Sequence, residues 1–88
     1  MVQANRSTFD ALAEWYDHAF EVGELPLFEQ VLYPCVLDLL GNVDGQQVLD
    51  VACGPGFLAW RIAKKGAHVI GVDVSVQMLR RAREHARS

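Results

Sequence analysis

The sequence predicts an α/β fold in which two helices precede the first β-α-β-α unit of a doubly wound parallel sheet. Three observations point there. The hydrophobic period changes from helical to strand-like after Gln47. A glycine turn, Cys53-Gly54-Pro55-Gly56, follows directly on the first apolar run. A second run then ends on an acid, Asp73, nineteen residues after Gly54. Only two strands are legible, so the sheet reads as incomplete.

The elements follow in order. Ser7 reads as a helix cap with Asp10 three positions on, a weaker form of the capping box. Phe9, Leu12, Ala13 and Tyr16 fall on one helical face, Asp10, Glu14 and Asp17 on another, and the helix should end before Gly23. Pro26 suits the first turn of a second helix, whose apolar stripe runs from Phe28 to Leu40 and stops at Gly41. Pro34 lies inside that stripe without an amide to donate, which predicts a kink or short break. Val48–Ala52 reads as a strand buried on both faces, Phe57–Lys65 as a helix stopped by Gly66, and His68–Asp73 as a second, parallel strand. Ser75 caps a last helix carrying Met78, Leu79, Ala82 and Ala86.

Eighty-eight residues suffice for one small domain, and 51% apolar content excludes disorder over the whole length. Residues 1–44 carry eight acidic and one basic residue (−7), and residues 45–88 three acidic and seven basic (+4). Arg80, Arg81, Arg83 and Arg87 concentrate the positive charge near the end. They read as a solvated helix face, not a nucleic-acid reader. Cys35 and Cys53 are expected as free thiols, because a bridge at Cys53 would obstruct the turn. The polar, acidic start has no signal-peptide pattern and no run reaches membrane-spanning length, so a cytoplasmic protein is expected. His18, His68 and His85 with the cysteines lack metal-ligand spacing, so no metal site is expected. Asp17 and His18 read as solvated positions, not a polar gate.

The functional signal lies in the turn. Gly54 and Gly56 let backbone approach a ligand closely, ahead of a helix with unpaired amides. Asp73 at the tip of the adjacent strand is placed to accept ribose hydroxyls. Gly54-Pro55-Gly56-Phe57-Leu58-Ala59 also satisfies the dinucleotide pattern, so an NAD(P)-dependent oxidoreductase is the alternative. Two details weigh against it. Asp50 would add negative charge near a pyrophosphate, and Pro55 removes an amide that phosphate would use. A non-catalytic oligomerising protein is the third reading.

From Val48 to about Arg83 the chain resembles class I S-adenosylmethionine-dependent methyltransferases, whose fold is Rossmann-like. Val48-Leu49-Asp50-Val51-Ala52-Cys53-Gly54-Pro55-Gly56 is similar to the family's first motif. The resemblance implies that Asp50 and the loop Ala52, Cys53, Gly54 and Gly56 surround the methionyl part of S-adenosylmethionine. It further implies that Asp73, with Val74 beside it, meets the ribose, and that Met78 packs near the adenine. Phe9–Asp17 looks like the amino-terminal helix that covers the cofactor, with Tyr16 approaching it. On that reading residues 1–46 form the covering segment and 47–88 the start of the cofactor-binding domain. Ala52 stands where many members have glycine, a mild substitution. The third to seventh strands and the region shaping the acceptor pocket have no counterpart, so no catalytic base is named. The expected function is methyl transfer to a small-molecule acceptor. The expected partner is a second copy of the chain or the remainder of a longer methyltransferase, with neither nucleic acid nor membrane involved.

Overall fold

The computed structural model describes residues 8–87. Helix α1 (Thr8–Glu21) ends at a turn through Gly23. A π-helical segment (Leu27–Leu32) then runs directly into α2 (Tyr33–Leu40), which stops at Gly41. Strand β1 (Gln47–Val51), α3 (Phe57–Lys64), β2 (His68–Val72) and α4 (Val76–Ala86) complete the order. The strands pair in parallel with Val48 opposite Val69 and Asp50 opposite Gly71. This is the expected Rossmann-like unit with an incomplete, open sheet.

Pro34 does not break its helix. The coil widens ahead of it instead, and the Tyr33 N–H donates to the Phe28 carbonyl five residues back. A π turn redistributes the acceptors that a proline leaves unpaired, so the axis continues without a gap. The widening displaces Phe28 and Tyr33 onto one side, where Phe20 of α1 lies 5.6 and 6.0 Å from their rings.

The core is small. Val43, Ile62 and Ala67 are buried together, with Leu37, Val48, Leu58 and Val69 packed against them. Thus α3 covers the sheet face that carries Val48 and Val69. The opposite face corrects the expectation of strands buried on both sides. Leu49, Val51 and Ile70 are 62%, 69% and 64% exposed, because no element among the described residues packs there. The open face is the physical meaning of an apolar strand whose layer is half built.

α1 lies alongside α4 and runs in the same direction. Asp10 meets Ser75 and Gln77 at the start of α4, and seven residues later Asp17 meets Arg81 and His85 near its end. Seven residues are two helical turns, so both carboxylates project from one face. Phe9, Tyr16 and Phe20 project from the neighbouring face, toward the glycine loop.

Candidate cofactor site

The site forms where β1 and β2 end. β1 hands the chain to Ala52, whose φ of +60° is the one positive value among the described non-glycine residues. The loop turns through Gly54 and Gly56, also at positive φ, and closes when the Gly56 N–H donates to the Cys53 carbonyl at 3.1 Å. Asp73, one residue past β2, holds the loop in place. Its Oδ2 accepts from the Gly54 N–H at 2.8 Å, and its Oδ1 accepts from the Ser75 N–H at 2.8 Å. An ionised carboxylate offers about four acceptor positions, so capacity remains for a ligand.

Ser75 is fully buried and caps α4, its hydroxyl accepting from the Met78 N–H at 3.1 Å. The same hydroxyl donates to Asp10 Oδ1 at 2.5 Å, and Asp10 also accepts from the Gln77 N–H at 3.2 Å. Asp10 therefore serves the start of α4. The expected partner cap, Ser7, lies outside the described residues.

Between this loop and α1 lies a cavity of about 550 Å3, within the range of small-molecule sites. Tyr16, Ala52, Cys53, Gly54, Asp73, Val74 and Met78 all line it, together with Phe9, Phe20, Phe28 and Tyr33. Seven of the nine residues expected at the cofactor thus share one wall system. Desolvation raises the Tyr33 phenol to about 12, partly offset by the Arg61 guanidinium, which lies 4.9 Å from its ring centroid. The phenol stays a neutral donor.

Asp50 and Gly56 are placed differently. Asp50 does not line the cavity; its Oδ2 is buried without a hydrogen-bond partner among the described residues. Burial, and then the negative charge of Asp73, push its carboxyl above the ordinary range. An unpaired buried acceptor is costly unless a donor or positive charge reaches it. Gly56 faces the other way, into a second cleft of about 400 Å3 between α3 and α4. A Cβ there would meet the Ala82 Cβ at 3.0 Å, so this glycine serves helix packing.

The Cys53 thiol is pushed up by burial and then by Asp50, which keeps it protonated. Its Sγ rests over β2, where a Cβ on Gly71 would come within 2.8 Å of it. Both cysteines are free, as expected.

One group escaped the sequence reading. His85, in the last turn of α4, contacts the Pro55 carbonyl through Nδ1 at 2.7 Å and Asp17 Oδ1 through Nε2 at 2.9 Å. Asp17 was expected in solvent, but it is only 6% exposed because α4 covers it. Seven-residue spacing from Asp10 was the available signal, and nothing in the sequence identified the helix that would meet both.

An open parallel unit, a glycine loop after its first strand and an acid tying that loop to the second strand define a nucleotide-cofactor-binding protein. Residues 48–88 match the family model described as a methyltransferase domain. The chain is 40% identical over 79 residues to the ubiquinone biosynthesis O-methyltransferase of Alkalilimnicola ehrlichii, a match covering 89% of this chain and 32% of that protein. It is 37% identical over 84 residues to the protein of the same name in Bordetella avium, covering 94% and 35%. In Aeromonas salmonicida the corresponding protein is 37% identical over 79 residues, covering 89% and 33%. These matches make the chain similar to part of the class I S-adenosylmethionine-dependent methyltransferase domain. It spans about a third of the length of the curated relatives it matches. The cofactor this similarity implies is S-adenosylmethionine. No helix among the described residues is long and apolar enough to cross a membrane.

Proposed function

We propose that the chain binds S-adenosylmethionine in the cavity between α1 and the glycine loop, supplying the cofactor-binding part of a methyltransferase that acts on a small molecule. The observation that carries this is the convergence of Asp73, the Ala52–Pro55 backbone and the aromatic face of α1 on one cavity. Asp73 has acceptor capacity left for ribose hydroxyls. Val74 and Met78 offer apolar surface to a planar base, and Tyr16 covers the cavity from α1. The unpaired Oδ2 of Asp50 fits a cofactor bearing positive charge and does not fit a pyrophosphate.

The bound cofactor supplies an electrophilic methyl group on a sulfonium centre, open to in-line displacement by an acceptor nucleophile. The chain's own part is alignment and exclusion of water, which its apolar lining favours. The relatives' names specify O-methyl transfer in ubiquinone biosynthesis, and an oxygen nucleophile on such a small molecule is the acceptor we assign. Residues 1–46 act as the covering segment and 47–88 as the cofactor-binding unit. The open sheet is completed by a second copy of the chain or by further strands of a longer one.

Titration calorimetry with S-adenosylmethionine, S-adenosylhomocysteine and NAD tests the proposal. Binding of the first two and not the third is expected. Binding of NAD alone, or of none, refutes it.

A further inference from the structure

We infer that His85 is a positioning residue, which fixes the glycine loop and the covering helix relative to each other for cofactor binding. The inference rests on the cofactor-binding reading above. His85 itself does not line the cavity, whereas Pro55, which it holds, does. A carbonyl oxygen only accepts, so Nδ1 carries a hydrogen and donates it to Pro55 at 2.7 Å. Asp17 Oδ1 lies 2.9 Å from Nε2 as an ion-pair contact, and it is buried with no hydrogen-bond partner among the described residues. The ring therefore bridges two acceptors on separate elements, the loop after β1 and the middle of α1.

The surroundings hold the ring in that plane. The Phe57 ring, at the first position of α3, stacks on it at 4.3 Å and in turn meets Phe20 of α1 at 4.6 Å. Arg81 Nη1 lies 3.6 Å from Asp17 Oδ2, and the Glu21 carboxylate belongs to the same cluster. Asp10 fastens one end of α1 to the start of α4, and Asp17 through His85 fastens the other end to the loop. The cavity lies between α1 and that loop, so a ligand inside it depends on both fastenings. Of the two, the Asp17–His85 link reaches the cavity wall, through Pro55.

The test is a double-mutant cycle on the full chain with S-adenosylhomocysteine as the titrant, at a temperature where each variant is folded. His85→Ala and Asp17→Ala are each expected to weaken binding about tenfold, and the double variant no more than either alone. Asp17→Asn with His85→Gln, an amide pair able to remake one hydrogen bond, should recover part of the loss. Amide hydrogen exchange without ligand should quicken in α1 and at Gly56 in the His85→Gln chain while β1 and β2 keep their protection. Wild-type binding with unchanged affinity in the single variants, or losses that multiply in the double variant, overturns the inference. A wild-type chain that does not bind refutes the cofactor reading instead, and the exchange pattern then still decides whether His85 fixes α1 and the loop.

Discussion

Asp73 Oδ2 accepts the Gly54 N–H at 2.8 Å, so the acid assigned to ribose also staples the loop that would receive the rest of the cofactor. Asp73→Asn should therefore act twice. The amide nitrogen cannot accept, so one of the two backbone bonds through Gly54 and Ser75 is lost along with the charge. Binding of S-adenosylhomocysteine should weaken by about 1.5–3 kcal/mol, and thermal unfolding should move down. Unchanged affinity with an intact circular dichroism spectrum would remove Asp73 from the site.

Gly56 has φ +81° and stands against Ala82, so a side chain there is resisted by backbone and by packing. Gly56→Val should cost about 2 kcal/mol or more in folding stability. Gly56→Ala should recover part of its loss when Ala82→Gly is added, as read from urea midpoints. No recovery would show that the close approach of α4 is not the constraint.

Ala52 adopts φ +60°, a conformation that glycine takes without strain. Ala52→Gly should raise stability by about 0.5–1 kcal/mol, the left-handed strain being partly offset by greater unfolded-state freedom. A lower melting temperature for Ala52→Gly would contradict this.

Asp50 has its carboxyl raised above 3.8 by burial and by Asp73. For a group whose folded-state value is raised, the protonated form is favoured on folding, so its stabilising contribution is full below the unfolded value. That contribution is lost as pH rises through the folded value. Asp50→Asn should flatten this slope as pH rises from the ordinary carboxylate range upward, while weakening S-adenosylmethionine binding. Identical pH dependence of the two chains would refute the assignment.

Leu49 and Ile70 face each other across the strand pair on the open sheet face. Each strand also has one unpaired edge among the described residues, and apolar edges pair with other chains. Light scattering coupled to size exclusion at several concentrations should find self-association. A monodisperse species near 9.8 kDa with a cooperative unfolding transition would show that the chain closes its core alone.

The glycine turn, the acid nineteen residues on and the change of hydrophobic period were legible in order along the chain. Each is a local pattern: a loop needs positive φ where it turns, and a strand needs a run of apolar β formers. Cys53, Gly54, Asp73, Val74 and Met78 reach one cavity because a parallel β-α-β unit brings both strand ends to the same edge. Gly56 was read for ligand approach on the same pattern, and the sequence held no sign that Ala82 would stand against it.

The sequence by itself determined the element order, the parallel pairing and the loop–acid pair, since these follow from local conformation and spacing of two and 3.6 residues. Tertiary structure decided which face each polar group met. Asp10 caps α4, and Asp17 is buried against His85, because α1 settles parallel to α4 at an offset that periodicity does not encode. The open face of Leu49, Val51 and Ile70 was decided the same way. An apolar strand records that both its faces suit burial, but only the packed layers determine which of them is covered.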